Sequence, residues 1–231
     1  MTDHLKISPI SESACIVYFG EAIDIALPPL IGQYANAVCL HFGNAILDCT
    51  PSYTSLVIEY HPLLCSYHDV VNFIGQYQPN QEQTQTQQPL VTIPAFYHPK
   101  VAPDLAPMAA QLKLAIDEVV RLHCEAIYTV CAIGFAPGFA FMAQVNPKIE
   151  MPRLKVPRKK VPKGSIGIAN QQTAIYPSET PGGWQIIGNS PIALFDVSAP
   201  QDSLLSVGQR VQFQPITEAE YIDLGGKLCH W

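Results

Sequence analysis

Twelve residues near the middle of the chain, 78–89 (QPNQEQTQTQQP), set the strongest limit on how it can fold. They hold six glutamines, two prolines and no large apolar side chain, so the segment cannot bury enough surface to offset the entropy of ordering it. It reads as a spacer, which divides the chain into an N-terminal unit over residues 1–88 and a C-terminal unit over 89–231. The 231 residues suffice for two small domains. Their 48% hydrophobic content and net charge of −6 exclude disorder of the whole chain and disfavour binding to nucleic acid or an anionic membrane.

Before the spacer, strand and helix signals alternate. Residues 14–19 read as a short strand. Ile31, Tyr34, Ala35, Val38 and Phe42 recur near the helical period and predict a helix over 31–42. Residues 45–49 and 55–60 read as strands joined by a turn at Thr50-Pro51-Ser52, and Val70, Phe73, Ile74 and Tyr77 mark a second helix over 66–77. This is an α+β unit.

After the spacer, residues 90–93 read as a strand and 104–122 as one or two helices with Asp104 as a cap. Residues 126–147 carry no charge and approach the length of a membrane span, but Gly134, Pro137 and Gly138 interrupt them and β-formers lead them, so a buried strand turning into a second apolar element is expected. From 152 onward short β-rich runs recur between Gly and Pro: 165–169, 173–176, 184–187, 192–197 and 210–213. Such spacing predicts a barrel or sandwich.

The seven cysteines form no CxxC pair and mostly lie in apolar stretches, as expected of a reduced, cytoplasmic protein. No secretion signal is read at residues 1–7. The seven histidines are scattered without HExxH, so no metal site is expected. GxSxG is absent. Seven of the thirteen basic residues (Lys148, Arg153, Lys155, Arg158, Lys159, Lys160, Lys163) fall within sixteen positions, on a backbone restricted by Pro152, Pro157 and Pro162. Such a run is either a solvated face or a site for an anion or acidic partner. Lys163-Gly164-Ser165 is not a phosphate loop, because the lysine precedes the glycine and a strand follows. Gly134, Pro137 and Gly138 predict a sharp turn among Phe135, Phe139 and Phe141, and residues 176–184 (YPSETPGGW) fix a second unusual backbone beside Trp184.

Taken in order, LHxxxxYxVxxIGFAPGFAFM, MPRLKVPRKKVPKGSIGIANQQTAIYP and TPGGWQIIGNSPIALFD resemble the family of the 5-oxoprolinase B subunit, allophanate hydrolase subunit 1 and the sporulation kinase inhibitor Kip I. IPAFY at 93–97 and PDL at 103–105 resemble the family's IPVxYGxxxGPDL. The resemblance implies a small α+β N-terminal domain followed by a cyclophilin-like β-barrel C-terminal domain. It also implies ATP-dependent opening of 5-oxo-L-proline to L-glutamate by a complex with the 5-oxoprolinase C subunit, of the allophanate hydrolase subunit 2 type, and the A subunit, doubled by two-fold symmetry. ATP would serve the complex, since this chain has no nucleotide motif. Carried over by motif, His123, Arg153 and Arg158 are the expected catalytic residues. Phe135, Pro137, Gly138, Phe139, Ser165, Gln172, Thr173, Tyr176, Pro181, Gly182, Gly183 and Trp184 are expected to line a substrate pocket or an interface with a partner. The sequence departs from the family at His98, Lys163, Asn170 and Asn189, positions expected around that pocket. Two other functions fit the same family: part of a urea or allophanate-type amidolyase or carboxyltransferase, and a non-catalytic histidine-kinase inhibitor.

Overall fold

In the computed structural model, residues 5–22, 24–79, 89–196, 198–199 and 203–228 are described. The centre of the glutamine-rich spacer, residues 80–88, lies outside them. The chain separates into two compact units, residues 1–88 and 89–231.

In the first unit, β1 (Lys6–Ser11), β2 (Ala14–Tyr18), β3 (Ile46–Pro51) and β4 (Ser55–Tyr60) form an antiparallel sheet in the order β1-β2-β4-β3. Helix α1 (Leu27–Phe42) lays Ile31, Tyr34, Ala35 and Val38 against the buried residues Cys15, Val17, Leu56 and Ile58. Helix α2 (Tyr67–Gln76) starts at a capping box, with Ser66 and Asp69 each satisfying the other's backbone N–H, and adds Val70 and Ile74 to the same core.

The second unit holds β5 (Leu90–Ala95), α3 (Leu105–Leu112), α4 (Ile116–Glu125), β6 (Tyr128–Ile133), β7 (Ala140–Ala143), β8 (Arg158–Val161), β9 (Ser165–Ala169), β10 (Gln172–Ile175), β11 (Thr180–Gly182), β12 (Gln185–Asn189), β13 (Arg210–Pro215) and α5 (Glu218–Asp223). Seven strands pair in the order β12-β9-β10-β7-β6-β13-β5. The two ends of this sheet meet: Phe96, just beyond β5, exchanges backbone hydrogen bonds of 2.8 and 3.0 Å with Asn189 at the end of β12. The sheet therefore curls into a nearly closed barrel, the fold class the resemblance implied.

Both faces of the barrel wall are covered, so every residue of β9 and all of β10 after Gln172 are buried instead of alternating with exposed ones. Inward-facing Ile166, Ile168, Ile175 and Ile187 join Tyr128, Val130, Met142 and Phe213 in the main core. Their outward-facing neighbours Ala169, Ala174, Tyr176 and Ile186 pack with Phe139, Val161 and Trp184 into a second cluster. The two-stranded ribbon β8-β11 belongs to this outer layer.

Two readings of the sequence are corrected. Residues 192–196 are not a strand, although Leu194 is buried in the main core: apolar character there fills the core without backbone pairing. Asp104 stands at the N-cap position of α3 but makes no side-chain cap, because its carboxylate is taken by residues far along the chain. The uncharged stretch 126–147 is β6, a turn and β7, and no described helix is long and apolar enough to cross a membrane.

Candidate functional site

On the outer face of the barrel wall the second cluster opens into a cleft of about 210 Å³ lined by Phe135, Phe139, Phe141, Arg153, Pro157, Tyr176, Pro181, Gly182, Gly183 and Trp184. Three local structures build it. The first is the turn after β6. Gly138 takes φ 77° behind Pro137, and Phe139 N–H donates to Ala136 O at 2.9 Å, as a type II turn requires. Phe135 is held at φ 70° and left 69% exposed, an arrangement unfavourable for an aromatic residue both in backbone and in hydration. It meets Phe139 edge-on, with ring centroids 5.3 Å apart.

The second is the Gly182-Gly183-Trp184 corner. A Cβ at Gly182 would overlap the Tyr176 hydroxyl, so only glycine lets the tyrosine lie against this backbone. The Tyr176 hydroxyl accepts from the Trp184 backbone N–H, while burial raises the phenol's pKa and Arg153 and Arg158 act against that rise.

The third is the segment carrying Arg153. Leu154 N–H donates to Gly183 O at 2.7 Å, and Gln185 Nε2 donates to Pro152 O at 2.9 Å. The residues on either side of Arg153 are thus fastened to the corner. Its guanidinium lies over the Trp184 ring, 5.8 Å from the centroid, and no ion pair engages it among the described residues. A cation stacked on an aromatic face, with its N–H fork open, suits a carboxylate on a flat ligand.

Of the expected pocket residues, the structure brings Phe135, Phe139, Arg153, Tyr176, Pro181, Gly182, Gly183 and Trp184 to the cleft. Phe141 and Pro157 join them. Pro137 and Gly138 shape the turn without lining it, and a Cβ at Gly138 would overlap the Phe195 Cβ. Ser165 is buried in β9, and Gln172 opens β10 away from the cleft lining.

Thr173 and His123 lie on the other face of the wall. A two-residue period puts Thr173 with inward-facing Ile175 and Tyr176 on the outside. His123 is fully buried within the barrel, between the Tyr97 hydroxyl, 2.7 Å from Nδ1, and Thr173 Oγ1, 2.9 Å from Nε2. Thr173 Oγ1 gives its proton to Gly167 O at 3.1 Å, so it accepts from His123, and the tautomer with the proton on Nε2 follows. Nδ1 then accepts from Tyr97, whose oxygen accepts from Cys124 Sγ at 3.4 Å. Every polar atom of the ring is satisfied internally, and burial holds its pKa down to about 3. His123 is neutral and sealed from the cleft.

Arg158 is adjacent to the cleft but committed elsewhere. Its Nη2 donates to Asp104 Oδ1 at 2.7 Å, and Asp104 Oδ2 accepts the Ile186 backbone N–H at 2.6 Å, so the pair ties β8, β12 and the start of α3 together. The sequence offered no sign of this partnership, since 54 residues separate the two side chains.

The turn at residues 163–165 does not have the form of a phosphate-binding loop. At Lys163-Gly164-Ser165, Gly164 has φ 81°, a Cβ there would overlap Ser190 O, and the following backbone enters buried β9 instead of a helix N-terminus.

The C-terminal unit is thus a nearly closed barrel that carries a small aromatic cleft with the Arg153 cation at its edge, and an α+β unit precedes it in the chain. The chain belongs to the family described as carboxyltransferase domain, subdomain C and D, whose model matches residues 5–205. It is 32% identical over 235 aligned residues to a Bacillus subtilis protein named as the B subunit of 5-oxoprolinase, covering 96% of this chain and 97% of that one. A protein of the same name from Escherichia coli O157:H7 is 37% identical over 150 residues, 65% of this chain and 69% of that one. Among solved structures, TTHA0988 is 30% identical with a TM-score of 0.81, the match covering 92% of this chain but 41% of that longer chain.

Proposed function

We propose that the chain is the B subunit of an ATP-dependent 5-oxoprolinase that opens 5-oxo-L-proline to L-glutamate, working with a C subunit of the allophanate hydrolase subunit 2 type and an A subunit. The observation that carries the reading is the Arg153–Trp184 stack at an aromatic cleft of about 210 Å³. That volume lies below the roughly 300–1,000 Å³ of drug-sized pockets and suits a small ring acid. Near-complete coverage of a protein named for this component adds to it.

In this reading Arg153 pairs with the substrate carboxylate. Phe139, Tyr176 and Trp184 flank the ring and exclude water, and the bare backbone of Gly182 and Gly183 admits it closely. A lactam is a poor electrophile at neutral pH, and its activation by ATP falls to the partner chains. Arg158 and His123 act on the scaffold rather than on the substrate.

The test is ATP-dependent glutamate release from 5-oxoproline by the co-expressed subunits, with each omitted in turn. Activity that requires this chain, with KM raised about 10- to 100-fold in Arg153→Ala at little change in kcat, is the expected result. An assembled complex inert toward 5-oxoproline rejects the proposal. The family's description as a carboxyltransferase domain favours a second reading, carboxyl transfer to an amide. Activity that avidin abolishes would support it, because such transfer depends on biotin.

A further inference from the structure

The first unit carries a pair of thiols that the cleft does not use. Cys39 is exposed in the last turns of α1, and Cys49 is half-buried in β3. Two independent features place them face to face. On the sheet, Cys15 of β2 and Cys49 of β3 both pair with Ile58 of β4, so the three side chains form a row on the helix-covered face. On the helix, Val38 is buried in that face, and Cys39 stands about 100° round from it, at the flank of the apolar stripe. Because β3 is the edge strand, the flank of the helix reaches it and the sheet leaves Cys39 open to solvent.

Helix α1 packs directly against β3, and the Cys39 sulfur is among the groups that act on the Cys49 thiol. Burial first, then the neighbouring Cys39 sulfur, pushes the Cys49 thiol far above its usual range, so Cys49 is not the group that meets an oxidant. Access distinguishes the two: Cys39 is reached from solvent and Cys49 is half-buried.

We propose that Cys39 and Cys49 form a thiol–disulfide exchange site that takes a small-molecule disulfide and closes to an intramolecular disulfide linking the last turns of α1 to β3. The Cys39 thiolate attacks one sulfur of the small disulfide and expels one thiolate, giving a mixed disulfide on Cys39. Cys49 then gives up its proton to water or the released thiolate and attacks Cys39 Sγ, expelling the second thiolate. The protein sulfurs lose two electrons and two protons, and the small disulfide gains them as two thiols. The reluctance of Cys49 to ionise makes the second step the slow one.

The experiment treats the whole chain with oxidised glutathione, quenches with acid and maps peptides without reduction. The expected result is an intact mass lower by two hydrogens and a single cross-linked peptide joining Cys39 to Cys49. Cys49→Ala should stop at one glutathione adduct on Cys39, and Cys39→Ser, a surface change that leaves folding intact, should slow oxidation of Cys49 at least about tenfold. A persistent adduct on wild-type Cys39 without a cross-link, an unmodified Cys39, or a link through Cys15, Cys65 or Cys229 overturns the proposal.

Discussion

The sealed environment of His123 has a measurable consequence for stability against pH. In the unfolded chain a histidine titrates near about 6.5, whereas burial holds His123 at about 3 in the folded barrel. Below pH 6.5 the unfolded state takes up a proton that the native state refuses, so stability present above that pH is lost as pH falls toward 3. The loss approaches about 1.4 kcal/mol per pH unit and amounts to about 2 kcal/mol at pH 5. Carboxylates and exposed histidines also titrate in this window, and a His123→Gln variant cancels them. Urea unfolding followed by Trp184 fluorescence, in a Trp231→Phe background, reads the barrel alone. With a denaturant slope of about 2 kcal/mol per molar, the wild-type midpoint should fall about 1 M further than the variant's between pH 7 and pH 5. Parallel curves would falsify the assignment of His123 as a buried neutral group, whatever the variant's absolute stability.

Three further outcomes are expected. Asp104→Ala leaves the Arg158 charge half-buried and the Ile186 N–H without its acceptor, and should destabilise the barrel by about 3–5 kcal/mol in urea melts, with Asp104→Asn losing less because one oxygen can still serve Ile186. Arg153→Ala, by contrast, removes only an exposed stacking contact, so its unfolding midpoint should stay within about 1 kcal/mol of wild type while ligand affinity drops. Gly182→Ala places a methyl group against the Tyr176 hydroxyl and should cost ligand binding by displacing that ring, visible as a changed Trp184 emission.

How much of this was legible in the sequence depended on what each element packs against. β9 was readable because both its faces are covered and four of its five residues, Ile166, Gly167, Ile168 and Ala169, are apolar or bare backbone. β8 was not, since Arg158-Lys159-Lys160 reads as a solvated run; its strand exists because β11 pairs with it from about twenty residues away. β1 contains Ser8 and Pro9, tolerated there because it is an edge strand. Helix α5 had a local signature, Thr217 followed three residues later by Glu220, whose side chains form a capping box. The motifs located the cleft, but they could not separate the two faces of the wall. Thr173 and Tyr176 are three residues apart and face opposite ways, and His123 follows the inner one.

The same distinction decides where specificity can reside. Arg153 and Arg158 stand five residues apart in one basic run, yet a carboxylate from α3's start captures the second and leaves the first open. The four residues at which the sequence departs from the motifs it resembles stand apart from the open arginine. His98 stacks on Phe96 with centroids 5.5 Å apart, beside the bridge that closes the barrel. Asn189 donates through Nδ2 to Lys163 O at 3.0 Å and accepts through Oδ1 from the Tyr221 hydroxyl at 2.8 Å, tying α5 to the end of β12. Asn170, where the family commonly has glycine, holds φ 53° in the β9–β10 turn, a conformation asparagine tolerates. None of the four lines the cleft. His98 and Asn189 lie where the two ends of the barrel sheet meet, so exchanging them is expected to act on barrel closure and not directly on the cleft lining.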